Sequence, residues 1–473
     1  LQRVFHFILG TNFLYLNGTN LHHSLSIERN IPVINVGVLT RTEIHFVLNG
    51  RFHSAEIEGT ISGTCVAHLS GNIIVIECDG VLLGGQREIL LQPMDVSSSF
   101  VLKGVTIGVQ FHWERREDQR FVGGLKLVRD NDKVAAINVV DIENYLTSVI
   151  SSEMSAECSL DLLKAHTITA RSWLLAQLDK SRSLKSGGHA YQTTFESETE
   201  RIRWYDREDH ALYDVCADDH CQRYQGVTKA YTQRVKQAVD DTCGDVLCHH
   251  GVICDARFSK ACGGVMELFE NTWEPVSHPY LASVVDTESE RTSFSIEFRD
   301  EANAERWIRS SPEAFCNTQD AALLKKILPS FDQETADFFR WRVEYSQEEI
   351  ADIIHRKSGV DFGAIVDLKP VERGASARLI KLRIVGTKRT MVIGKELEIR
   401  RTLAPSHLYS SAIVCETVGE MNGIPSRFIL HGAGWGHGVG LCQVGAAVMG
   451  ERGYAYETIL AHYFPHTEIT RLY

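Results

Sequence analysis

"DIENYLTSVISSEMSAECSLDLLKAHTITARSWLLAQL", residues 141–178, is where the chain changes its period. Ile142, Tyr145, Leu146 and Val149 recur at helical spacing, and Asp141 stands where an N-cap belongs. Ser159 is the cap residue for a second helix, whose apolar spacing through "LDLLKAHTITARSWLLAQL" is that of a buried element. Upstream the pattern is different. "PVINVGVL", "EIHFVLNG", "GNIIVIECDG", "SFVLKGVTIGVQFHW" and "VAAINVV" are short β-rich runs parted by Gly, Asn and Asp. A β-rich stretch that gives way to helices predicts an α+β fold: an N-terminal β-rich domain, then a mixed α/β core with a helical insertion.

Downstream, "GVTKAYTQRVKQAVDDT" reads as a helix and "DVLCHHGVICDARFS" as short strands. Residues 297–360 read as mainly helical, through "EANAERWIRS", "QDAALLKKIL" and "SQEEIADIIHRKSG". Strands return from 364 to 418, with "ARLIKLRIVG" and "RTMVIGKELEIRRTL" among them. The expected layout is a leader or disordered N-terminus over 1–28, a β-rich domain over 29–135 and a catalytic core with a Cys/His segment over 136–290. A mainly helical subdomain over 291–365 follows, and strands with a Gly-rich signature over 366–473 complete the core.

The chain has 473 residues, 44% of them apolar and 23% charged, an ordinary globular composition. Its formal net charge of -12 argues against nucleic acid, whose phosphates call for a basic surface. No run of about 18 apolar residues marks a transmembrane helix. The opening "LQRVFHFILGTNFLYLN" makes a poor secretory signal, lacking a long apolar run and a small-residue cleavage site.

Of 12 cysteines, Cys65, Cys78, Cys158, Cys316, Cys415 and Cys442 are scattered and read as small buried hydrophobes. In "HALYDVCADDHCQRYQG", His210, Cys216, His220 and Cys221 offer two imidazoles and two thiols, the donor set of a closed, structural Zn2+ site. A Cys216–Cys221 disulfide is the alternative reading. Cys248 and Cys254 fit alternate buried positions of a hairpin, and His166 reads as a packed residue.

Glu153 ends the first helix, where a carboxyl can face a cleft; a solvated surface Glu is the plainer reading. Lys164 and Arg171, seven apart, share a helical face and would set two cations near it. "HGAGWGHGVGLCQVG", residues 431–445, alternates glycine. Extended, it would turn Trp435 and His437 the same way, a shelf for a flat ring such as a sugar. A tight turn into a helix, with Trp435 in the core, is the competing reading.

Four stretches, in order, resemble the stage II sporulation protein D / amidase-enhancer family (SpoIID/LytB). They are "NVVDIENYLTSVISSEMSAECSLDLLKAHTITARSW", "YDVCADDHCQRYQG", "ARFSKACGGVMELFENTWEPVSHPYL" and "GAGWGHGVGLCQVGAAVMGERGYAYETILAHYFPHTEI". The resemblance implies a peptidoglycan lytic transglycosylase with Glu153 as its acid. Lys164 and Arg171 fall on the family's basic helix positions, and Trp435, His437 and Gln443 on its C-terminal signature. Zinc binding through the Cys/His segment is implied as well. The chain departs at His166, Cys442 and Val444, where Gln, Ser and an aromatic are usual. The expected reaction cleaves MurNAc–GlcNAc linkages to 1,6-anhydro-MurNAc ends in the cell envelope. The alternative is a non-catalytic glycan-binding activator of a cell-wall amidase.

Overall fold

Alternation builds the N-terminal half. In the computed structural model, which describes residues 30–108, 114–188, 191–205, 210–218, 220–228, 232–288, 297–328 and 337–473, strand Glu43–His53 buries Ile44, Phe46, Leu48 and Phe52. The residues between them face outward, as a half-buried strand requires. Eleven strands join one sheet, in which Glu43–His53 pairs with Ile61–Ser70 and with Ser99–Ile107. Strand Val33–Arg41 runs antiparallel to Lys133–Asp141 and parallel to Val215–Cys216, so the Cys/His segment begins as an edge of this sheet. Cys65 and Cys78 lie opposite each other on neighbouring strands and form a disulfide, which corrects their reading as unrelated buried thiols.

Nine helices occur among the described residues: α1 Ile142–Glu153, α2 Leu160–Lys185, α3 Gln233–Asp241, α4 Glu301–Arg309, α5 Ala321–Ile327, α6 Gln347–Ser358, α7 Glu396–Thr402, α8 Gln443–Glu451 and α9 Tyr456–Tyr463. Strand Lys133–Asp141 runs straight into α1, because Asp141 ends the one and caps the other, accepting the Asn144 N–H at 2.9 Å. Ser159 caps α2 in the same way. The helix expected from 226 is shorter: Thr232 caps α3, which starts at 233. "RTMVIGKELEIRRTL" is strand only to Gly394. Ile399 and Leu403, one helical turn apart and both buried, turn its second half into α7.

Residues 31–473 form one compact unit. One apolar cluster holds the N-terminal sheet together with α1, α2, α8 and α9, so no core boundary lies near residue 135. The expected edges at 135/136 and 365/366 fall inside strands Lys133–Asp141 and Ile365–Arg373. The stretch expected to be mainly helical also contributes strand Arg340–Ser346, which pairs with Ile424–Ala433. The expected leader over 1–28 lies outside the described residues.

Candidate functional site

Glu153 is the last residue of α1, and only 9% of it is exposed. Its carboxylate Oε1 accepts the Arg223 N–H at 3.0 Å. The turn that supplies this N–H is itself anchored from three sides. The Gln222 amide donates to the Ala170 carbonyl, the Tyr224 hydroxyl donates to Asn138 Oδ1 at 2.5 Å, and the Gln225 N–H donates to Ser148 Oγ. The carboxyl at the end of α1 therefore sits in a fixed frame.

Glu153 opens onto a groove of about 420 Å³, within the usual range for a ligand site. Trp173, Trp273, Tyr345, Tyr409 and Trp435 line it. So do Arg223, Arg257, Lys260 and Arg400, a basic surface within an acidic chain. Glu153 is the single carboxylate among its described lining residues. Two buried polar atoms on the wall, Trp273 Nε1 and Ser259 Oγ, have no protein partner among the described residues. Buried polar atoms rarely go unpaired, so these two are hydrogen-bonding capacity that the described protein leaves unused.

The structure brings Trp435, His437 and Gln443 to this groove beside Glu153. It does not bring Lys164 or Arg171. Arg171 is fully buried, forked onto both Glu143 oxygens at 3.0 and 2.6 Å, and its third donor reaches the Asp245 carbonyl. It ties α2 to α1 within the core, fully buried and outside the groove lining. Lys164 pairs with Asp241 at 2.8 Å and lies over the Tyr456 ring. The cation beside the acid is Lys260, whose Nζ donates to the Glu153 backbone carbonyl at 3.0 Å. Sequence reasoning missed Lys260, Arg257 and Trp273. All three lie in the quoted stretch 256–281, where their own spacing carries no signal.

The glycine run is neither an extended shelf nor a plain turn. Gly434, Gly436, Gly438 and Gly440 all have positive φ, and the protein's own atoms fill the space where their Cβ would stand. A Cβ on Gly438 would lie 2.5 Å from the Arg378 guanidinium, and one on Gly440 2.1 Å from the Arg257 carbonyl oxygen. Arg378 is buried and bonds the Cys262 and Gly436 carbonyls, so the run is wound around an internal cation. Trp435 is half-buried, stacked on Phe338 and Tyr409. His437 donates from Nε2 to the Phe258 carbonyl and accepts the Val439 N–H at Nδ1. Burial and the nearby Arg257, Arg400 and Arg378 hold its pKa well below the usual histidine value. With both nitrogens used, it is a neutral positioning ring. Gln443 is almost fully buried, with its amide 3.4 Å from His166 Nε2.

His210, Cys216, His220 and Cys221 converge at the groove's edge, with their donor atoms all within 4.8 Å of one another. Cys221 Sγ lies 3.5 Å from both His210 Nε2 and His220 Nδ1. The hydrogen bond from Cys221 outweighs burial and, with those from the two histidines, draws the Cys216 thiol down to about 2. The set fits a tetrahedral two-sulfur, two-nitrogen zinc site, and four protein donors leave no open position on the metal.

Residues 267–440 match a domain family of unknown function, DUF8618, and residues 130–249 match the stage II sporulation protein family. An uncharacterised protein of Brachyspira hyodysenteriae is 24% identical over 74% of this chain and 72% of its own length. The amidase enhancer of Bacillus subtilis is 24% identical over 69% of this chain, but over only 40% of its own length. Stage II sporulation protein D of Bacillus amyloliquefaciens is 21% identical over 71% of this chain and 76% of its own. The match over 130–249 covers α1, α2 and the Cys/His turn that holds Glu153, so this part of the chain is a SpoIID-type domain.

Proposed function

We propose that the groove cleaves peptidoglycan glycan strands as a lytic transglycosylase, at the cell envelope. The observation that carries this is the lone carboxylate: Glu153 faces an aromatic, basic groove with no second described acid on its walls. Glycosidases that use water commonly need two carboxylates, one as acid and one as base or nucleophile. A single carboxyl suffices when the sugar attacks itself. Protonated Glu153 gives its proton to the oxygen between MurNAc and GlcNAc, and the bond to the anomeric carbon breaks. The resulting carboxylate then takes the proton of that sugar's 6-hydroxyl as the hydroxyl oxygen closes on the same carbon. The product is a 1,6-anhydro-MurNAc end.

The other walls serve binding. The indoles and phenols stack on sugar faces, and Lys260, Arg223, Arg257 and Arg400 suit the lactyl carboxylate of MurNAc. In this reading Zn2+ held by His210, Cys216, His220 and Cys221 is structural. It braces the turn whose Arg223 N–H fixes Glu153. The relative named amidase enhancer favours a second reading, in which the groove binds glycan and activates an amidase without cutting.

Mass spectrometry of glycan strands incubated with the protein tests the proposal. We expect anhydro ends, lost by about 10²–10⁴-fold in Glu153→Gln with strand binding retained. Reducing ends would mean hydrolysis, and binding with no cleavage by the parent protein would favour the activator.

A further inference from the structure

A second cluster of metal-binding side chains lies away from Glu153, and the proposed glycan chemistry does not use it. Cys262, Cys316, Cys442 and Asp286 come from four separate segments and are all buried. Their donor atoms lie within 4.8 Å of one another, with Cys262 Sγ 3.6 Å from Cys316 Sγ. Tetrahedral zinc with Zn–S bonds of about 2.3 Å sets its sulfurs about 3.8 Å apart. Sulfurs in a disulfide are about 2.05 Å apart.

Backbone N–H groups point at two of the three sulfurs. Cys442 Sγ caps α8, accepting the Gly445 N–H, and it also accepts the Cys262 N–H at 3.2 Å. Cys262 Sγ accepts the Gly264 N–H. Backbone N–H donors and a helix N-terminus both favour negative sulfur. Asp286 is oriented by the Tyr463 hydroxyl and the Cys316 N–H, one on each oxygen, which leaves each oxygen a lone pair. The Arg340 guanidinium bonds the carbonyl of Gly263, next to Cys262, and so brings a positive charge close to the cluster.

We propose that Cys262, Cys316, Cys442 and Asp286 form a buried structural zinc site. Three thiol protons leave as three Zn–S bonds and one Zn–O bond form, with no change of oxidation state. Soft thiolates in a tetrahedral cage favour zinc over magnesium or calcium. The metal would join the strand pair Phe258–Ser259 and Leu441–Cys442, which underlies the groove, to the segments around 286 and 316. The inference does not depend on whether the groove cuts glycan.

The test uses the full chain, purified under reducing conditions from zinc-containing medium. Elemental analysis should give two zinc ions per chain, and X-ray absorption an average of about 2.5 sulfurs per zinc, from two and three thiolates. Cys216→Ser/Cys221→Ser should keep one zinc, now with three sulfurs near 2.3 Å and one lighter neighbour. Adding Cys316→Ser should remove that zinc. One zinc with two sulfurs in the parent chain would overturn the proposal. So would a peptide map joining Cys262 to Cys316 by a disulfide. The parent-chain measurements need no variant to fold.

Discussion

Arg171 and Glu143 show how much one buried pair can carry. Removing either partner leaves the other's charge uncompensated in the core, which typically costs about 3–5 kcal/mol. Arg171→Met should therefore lower stability by about that amount in chemical denaturation. Lys164→Ala breaks only a partly exposed pair with Asp241 and should cost under about 1 kcal/mol, with strand binding unchanged. Gly438→Ala adds strain at φ 75° and a collision with Arg378, so a loss of several kcal/mol is expected, read as a fall in Tm. The sequence places Lys164 and Arg171 on one helical face, but a wheel of one helix does not show what packs against it. The place of Glu153 at the end of α1 was legible from the capped helix, whereas its role as an acid was only what the resemblance implied. Lys260 was not, since its neighbours reach Glu153 only through a fold over more than a hundred positions.

At the scale of elements, local signals were read well where one residue sets a boundary. Asp141 and Ser159 cap α1 and α2 as their side chains dictate. Short elements were harder. In α7 two buried residues decide between helix and strand, and alternation mimics both. The turn after Cys221 is the element that links the Cys/His cluster to the acid. If a metal braces it, Cys216→Ser/Cys221→Ser should speed hydrogen exchange at the Arg223 amide while α1 and α2 keep their protection. An unchanged exchange rate at that amide would show that the anchors at Ala170, Asn138 and Ser148 hold the turn by themselves.

Across the whole molecule, buried histidines set an acid limit. Burial draws His166 down to about 3 and His407 down to about 4, against 6.5 in the unfolded chain. Between those values the unfolded state binds more protons than the folded one. Stability is thus fully present above pH about 6.5 and falls as pH drops toward 3 to 4. Calorimetry across pH 7 to 4 should show Tm falling, and His166→Gln should flatten the slope. The walls of the groove are distant in sequence, with Glu153, Lys260, Tyr409 and Gln443 all lining it. Such contacts form late, and topologies rich in them fold slowly. A ribosome that has not yet passed Gln443 has made a chain with an acid but no groove. Stalled nascent chains ending before 431 should bind no glycan strand, while longer ones released from the ribosome should. On the proposed function, synthesis past Gln443 is what first completes a groove able to take a glycan strand.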